Sequence, residues 1–123
     1  MTCAKLHAMT IDQLVEYFVT IGLAQQKAID LDDHANFRRL YSEMEDIRRE
    51  LKIRSGDQRR ALLPLLNHSS PQVRLKAAIT TLSIAPQASR QTLQLIWDRN
   101  EFPQAADAFG MIRALDKGTY VPD

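Results

Sequence analysis

The chain has 123 residues, with 16 Lys or Arg against 15 Asp or Glu, so its formal net charge is +1. This balance excludes a strong overall field that would attract nucleic acid or an anionic membrane, so an electrostatic partner must be recognised by a local patch. The length predicts a single domain over residues 1–123, able to bury a core without disulfides or a structural metal, with loose ends at 1–9 and 119–123.

The single cysteine, Cys3, has no second cysteine in the chain to pair with, which is typical of a protein from a reducing compartment. No apolar run approaches the roughly 18 residues of a membrane span, and the first residues lack the apolar block of a secretory signal. We therefore expect a cytoplasmic protein without a membrane partner.

Two long amphipathic helices are predicted in the first half of the chain. Thr10 and Gln13 have the spacing of a capping box, and a helix from about 11 to 30 follows. Asp32 or Asp33 can cap the second helix, which we expect to end at Ser55-Gly56-Asp57. Apolar residues repeat on one face of each helix, namely Leu14, Val15, Phe18 and Ile21 on the first, and Phe37, Leu40, Tyr41, Met44, Ile47 and Leu51 on the second.

Four shorter helices are predicted in the second half. The third covers about 58–67 and is bent by Pro64, and the fourth begins at Ser70-Pro71 and ends near Ala85. The fifth covers about 86–98, and the sixth follows Phe102-Pro103 and ends at a left-handed Gly118. The expected inward residues of the last two are Leu93, Ile96 and Trp97, then Ala105, Ala108, Phe109, Ile112 and Leu115.

A weak internal repeat connects these helices, because Pro71-Gln72 recurs 32 residues later as Pro103-Gln104. Repeats of this length are typical of stacked helical hairpins, in which each pair covers the apolar face of the last. With no strand signal between the helices, the predicted fold is all-α, with about six helices as stacked antiparallel hairpins.

The segment LLPLLNHSSPQVRLKAAITTLSIAP resembles a HEAT repeat through Val73, Arg74, Ala77, Ala78 and Leu82. Together with EFPQAADAFGMIRALDKG, it makes most of the chain similar to a family of small proteobacterial proteins known only as a domain of unknown function. The resemblance implies a HEAT-like α-α superhelix and no activity. The chain departs from the HEAT pattern at Ser69-Ser70, where an aspartate is usual, and at Ala105-Ala106, which replace Val-Arg.

Arg74 lies in the opening turn of a helix, where a cation faces the positive end of the helix dipole. Asp107 lies in the opening turns of the sixth helix among apolar neighbours. We predict a structural ion pair between Arg74 and Asp107 that holds the register of stacked hairpins.

A basic segment near the middle of the chain has two interpretations. Six basic residues stand there against only Glu50 and Asp57, namely Arg48, Arg49, Lys52, Arg54, Arg59 and Arg60. They would form a nucleic-acid patch, as on the concave side of HEAT-like proteins that handle DNA. The alternative, which we favour because no aromatic residue interleaves them, is that basic residues suit a helix C-terminus and pair with carboxylates four residues away, as Arg49 with Glu45 and Arg54 with Glu50.

Trp97 and Arg99 are the other candidate binding residues, because Trp and Arg dominate interface energetics. The alternative for Trp97 is a core position. The sequence shows no catalytic constellation, no metal site around Asp32-Asp33-His34, and no cofactor loop. The leading hypothesis is a protein-binding module that acts as an adaptor, a regulator or an immunity-type protein, and the alternative is a nucleic-acid-binding protein that uses the basic segment.

Overall fold

Helices make up the regular secondary structure of the chain in the computed structural model, which describes residues 3–123. They are α1 (Cys3–His7), α2 (Ile11–Asp30), α3 (His34–Ile53), a 3-10 helix (Gln58–Asn67), α4 (Pro71–Thr81), α5 (Pro86–Asp98) and α6 (Gln104–Lys117). The predicted all-α fold is thereby confirmed. The chain divides into two compact units, Met1–Ala61 and Leu62–Asp123, each described here by itself.

In the first unit, α2 and α3 pack along each other. The predicted capping box is present, since the Gln13 N–H donates to Thr10 Oγ1 at 3.1 Å and the Thr10 N–H donates to Gln13 Oε1 at 2.9 Å. Asp33 caps α3 through the Asn36 N–H. The buried apolar residues on the two helices are Leu14, Phe18, Ile21 and Ala28, then Leu40, Met44, Ile47 and Leu51. Tyr41, predicted to lie on the same inward face, is about half exposed.

Residues 3–7 form α1, although the sequence places them in a loose end. The Arg54 guanidinium holds this helix against α3, because Nη2 donates to Leu6 O at 3.0 Å and to His7 O at 3.3 Å. Nε of the same side chain donates to the buried Glu50 at 2.9 Å. Leu6 is buried as a result. Arg54, at the C-terminal end of α3, thus anchors α1, and the sequence around α1 does not reveal this contact. Residues 1–2 lie outside the described residues.

The third predicted helix exists, but it is a 3-10 helix through all of Gln58–Asn67. Pro64 lies inside it and has no N–H for a helical hydrogen bond. A 3-10 helix repeats every three residues, so Leu62 and Leu65 share one face, and both are buried.

The second unit is built from α4, α5 and α6. Ser70 caps α4 by accepting from the Val73 N–H at 3.3 Å, and Gly118 ends α6 in the left-handed region with φ 72°, both as predicted. α4 ends at Thr81 and not near Ala85 as predicted. The Thr81 hydroxyl donates to Ala77 O, and a turn follows. The shared core of the three helices is Leu75, Ala78, Leu82, Leu93, Ile96, Ala105, Ala108 and Ile112.

Across residues 3–123, no helix combines the length and the apolar character that a bilayer crossing requires.

Candidate functional site

Arg74 is the centre of the most highly connected polar cluster in the second unit. Its side chain is buried, and both terminal nitrogens donate to the Glu101 carboxylate, Nη1 to Oε1 and Nη2 to Oε2, each at 2.6 Å. Nε donates to His68 O at 2.7 Å, and Nη2 also donates to Ser69 O at 3.4 Å. A bidentate pair of this kind fixes the geometry of both side chains. Arg74 therefore joins the turn before α4 to the connection between α5 and α6.

The predicted partner of Arg74 was wrong, because the carboxylate that it binds is Glu101 and not Asp107. Asp107 lies one turn inside α6 and its residue is exposed, whereas Glu101 precedes α6 in the connection and reaches the start of α4. The hydrogen bonds from Arg74 are the main reason that the pKa of Glu101 lies below its ordinary value, and the same bonds raise the pKa of Arg74. Both groups therefore stay charged around neutral pH.

The 32-residue repeat has a direct structural counterpart beside this ion pair. Gln72 and Gln104, the second residues of the two Pro-Gln pairs, are both buried, and Gln104 Nε2 donates to Gln72 Oε1 at 3.1 Å. The bond joins the first turns of α4 and α6. The repeat in the sequence thus marks two helix starts that are neighbours in space.

A cleft of about 740 Å³ opens next to Arg74, between the end of the 3-10 helix, the start of α4 and one face of α5. Its apolar lining consists of Leu63, Leu66, Ala85, Ala88 and Leu95. Its polar lining includes Asn67, Gln91 and Thr92 as well as His68, Ser69, Arg74 and Arg99. Among the described residues that line it, none is an Asp or a Glu.

His68 and Arg99 are the two side chains of the cleft best placed to recognise a ligand by hydrogen bonding. The Ser70 N–H donates to His68 Nδ1 at 3.0 Å, so the proton of the neutral ring is on Nε2, which is a donor. Arg99 is exposed, and its side chain makes no hydrogen bond or ion pair with the part of the chain that the structure describes. Of the two arginines in the cleft, Arg74 is thus paired with Glu101 by hydrogen bonds, whereas Arg99 interacts with the same carboxylate only through the electrostatic field.

Trp97 forms an aromatic cluster on another side of the second unit. Its ring stacks on Phe109 with centroids 4.5 Å apart and meets Phe102 edge-on at 6.1 Å. Arg113 lies over the Phe109 ring, 5.7 Å from its centroid. Phe102 is 59% exposed and Phe109 37% exposed, so two of the three rings face solvent. We call Trp97, Phe102, Phe109 and Arg113 the aromatic surface.

Trp97 is half-buried against the core and contacts the exposed rings of Phe102 and Phe109, and its role in binding stays a prediction. Phe109, predicted to face inward, lies at the edge of the core. The sequence does not reveal the cluster because its three rings come from α5, the following connection and α6, with no helical spacing that links them.

In the basic segment, four of the six cations pair with carboxylates close in sequence. These pairs are Arg48 with Glu45 at 3.1 Å, Arg49 with Asp46 at 3.2 Å, Arg54 with Glu50 at 2.9 Å and Arg59 with Asp57 at 2.7 Å.

Arg59 is almost fully buried, and Arg60 donates to Gly56 O at 2.8 Å. The hydrogen bond from Arg59 is the main cause of a lowered pKa at Asp57, and Lys52 contributes to it. The charges of this segment are therefore largely compensated within the first unit.

The residues considered for metal binding serve other roles. Asp33 caps α3, and His34 Nε2 lies 3.0 Å from Asp32 Oδ1 at an exposed position. Within residues 3–123, no group of three or more His, Cys, Asp or Glu side chains is arranged to hold a metal ion. Every fully buried side-chain nitrogen or oxygen in that range has a hydrogen-bond partner.

The fold and the site together define a small all-α protein of packed helical hairpins, stabilised in its second unit by a buried Arg–Glu pair. Residues 12–116 match the model of the family described as "Domain of unknown function (DUF2019)". The chain belongs to this family. Among solved structures it is similar to the protein RPA1889 from Rhodopseudomonas palustris CGA009, with 42% identity, a TM-score of 0.94, and coverage of 96% of this chain and 98% of that one. A search of curated proteins found no match.

Proposed function

We propose that the chain is a protein-binding module and that the aromatic surface is the centre of its interface. The observation that carries the proposal is the exposure of two phenylalanine rings, Phe102 and Phe109, that are already fixed by a half-buried tryptophan. Aromatic and arginine side chains supply most of the energy of protein interfaces, and rings held rigid before binding lose little conformational entropy when a partner covers them.

The HEAT-like arrangement of hairpins that the sequence resembles supports the same proposal, because such proteins bind partners through exposed side chains on helices. An adaptor or regulatory role follows from this class of binding. We do not extend the proposal to nucleic acid, since most cations of the basic segment are paired with carboxylates in their own unit. Counterion release from phosphate requires cations that are available to the ligand.

The test is quantitative capture from a lysate of the native cells, with the wild-type chain and two variants as bait. Phe102→Ala removes the more exposed ring of the aromatic surface. Ile53→Ala removes a similarly exposed apolar side chain, 72% exposed, from the first unit and serves as the matched control. We expect a stoichiometric partner to be retained by wild type and by Ile53→Ala and to be lost from Phe102→Ala.

The purified partner is then titrated against the same three proteins. We expect Phe102→Ala to weaken binding at least ~10-fold, as is usual for a residue at an interface centre. Circular dichroism verifies that the variant keeps its helix content. Equal affinity for all three proteins, or no stoichiometric partner for the wild type, would contradict the proposal.

A further inference from the structure

The cleft beside α5 has the properties of a ligand site that is separate from the aromatic surface. Its volume of about 740 Å³ lies within the range of small-molecule sites, ~300–1,000 Å³. Five apolar side chains line it, and they come from the 3-10 helix, the segment before α5, and α5 itself. Polar and apolar side chains share the lining, which fits an organic ligand that has a hydrocarbon part and a polar group better than an inorganic ion.

The polar groups of the cleft select the charge of that ligand. Arg99 contributes an exposed guanidinium whose hydrogen-bond donors are unused, since Glu101 accepts its hydrogen bonds from Arg74 and reaches Arg99 only electrostatically. Nε2 of His68 adds a donor, and the described lining contains no carboxylate. One unpaired guanidinium fits one carboxylate by bidentate hydrogen bonding, whereas a phosphate dianion would require more positive charge.

The turn that carries the His68 donor is also held in place before any ligand arrives, whereas no hydrogen bond from the described part of the chain fixes the Arg99 side chain. Arg74 binds the carbonyl oxygens of His68 and Ser69, and the Ser70 N–H fixes the His68 ring. Because this turn is rigid, binding costs little conformational entropy. We propose that the cleft binds a medium-chain aliphatic monocarboxylate, with the carboxylate at Arg99 and the chain along Leu63, Ala88 and Leu95. This proposal is independent of the protein-binding function above.

The experiment titrates the full chain with octanoate, followed by calorimetry and by amide chemical shifts. We expect saturable binding, with shifts concentrated at Leu63, Ala88 and Leu95. Octanamide has the same chain without the charge, and we expect it to bind at least ~10-fold more weakly. Arg99→Gln is expected to weaken octanoate binding by a similar factor. The matched control, Arg90→Gln, makes the same change elsewhere on α5, outside the cleft, and is expected to leave binding unchanged.

Ala88→Leu provides a second, independent variant. Ala88 is exposed on α5, so a larger side chain there adds bulk to the cleft and is compatible with the helix. We expect it, too, to weaken octanoate binding at least ~10-fold.

Three results would overturn the proposal. The first is the absence of saturable binding up to about 10 mM octanoate. The second is equal affinity of Arg99→Gln and Arg90→Gln for octanoate, or chemical-shift changes that lie outside the cleft. The third is tighter binding of a tripeptide with a free C-terminal leucine than of octanoate, which would assign the cleft to a peptide terminus. Capture of a protein partner through Phe102 is measured separately and does not affect this result.

Discussion

The buried pair of Arg74 and Glu101 gives the sharpest stability prediction. Glu101→Gln conserves the size of the side chain and removes its charge, so the nearly buried guanidinium loses its counter-ion. Breaking a fully buried pair costs ~3–5 kcal/mol. The Glu101 side chain is 22% exposed and Arg74 keeps its bonds to two carbonyl oxygens, so we expect a smaller loss of about 2 kcal/mol.

The chain contains a matched control for this change. Arg90 binds Asp116 at 2.8 Å in the same unit, but the two side chains are 42% and 59% exposed. Exposed pairs of this kind contribute about 0–1 kcal/mol, so we expect Asp116→Asn to cost at most about 0.5 kcal/mol. The two substitutions remove the same type of interaction and differ in burial.

Urea unfolding followed by tryptophan fluorescence measures both variants, because Trp97 is the single tryptophan and belongs to the second unit. With a urea slope of about 2 kcal/mol/M, the midpoint of Glu101→Gln is expected to fall by about 1 M and that of Asp116→Asn by less than about 0.3 M. Equal midpoints for the two variants would refute the assignment of Arg74–Glu101 as the stabilising pair.

The lowered pKa of Glu101 predicts how the difference in unfolding free energy between wild type and Glu101→Gln depends on pH. A carboxyl whose pKa is lower in the folded chain contributes stability above its ordinary value of 4.5, and this contribution is lost as the pH falls through the folded pKa. The difference in unfolding free energy between wild type and Glu101→Gln is therefore expected to have its full value at about pH 7 and to disappear below about pH 4.5. A free-energy difference that increases on acidification would contradict this reasoning.

Further predictions concern the Gln pair and the glycines of the second unit. Gln72→Leu or Gln104→Leu alone removes the hydrogen bond between two buried amides and should cost ~1–3 kcal/mol of unfolding free energy. The double variant should cost less than the sum of the two, and an additive cost would show that the two side chains are not coupled. Gly110 lies in α6 with no atom within 4 Å of an added Cβ, so Gly110→Ala should stabilise by ~0.5–1 kcal/mol. Gly118 has φ +72°, so Gly118→Ala should destabilise by ~1 kcal/mol in the same urea assay, and an opposite order of the two alanine variants would refute this account.

Most helix ends could be predicted because their signals are local. Thr10 with Gln13, Asp33, Ser70-Pro71 and Gly118 each act on backbone groups within three or four residues, and the structure has each of them in its expected role. The 3-10 form of residues 58–67 was missed because it differs from an α-helix by about half a residue per turn, which an apolar pattern of ten residues does not resolve.

The site was predicted less well because its members are distant in sequence. Arg74 was correctly expected to need a carboxylate. Whether Asp107 or Glu101 reaches it depends on how the connection before α6 folds, which the sequence does not show. The Pro-Gln repeat was visible in the sequence, and it identifies two helix starts, but not the hydrogen bond between Gln72 and Gln104. No sequence signal marks the cleft, since the turn before α4 and one face of α5 form it together.

The packing of α5 explains how one short helix can contribute to both proposed binding surfaces. At ~100° per residue, Ala88, Thr92 and Leu95 lie on one face of α5, and Trp97 lies about 180° from Ala88. The buried Leu93 and Ile96 lie between these faces and fix the rotation of the helix against α4 and α6. A substitution at the surface of either face leaves that core intact, so loss of protein binding in Phe102→Ala and loss of carboxylate binding in Arg99→Gln should occur independently. If one substitution abolished both, the two faces would have to be coupled through a movement of α5, and its core contacts would not be rigid.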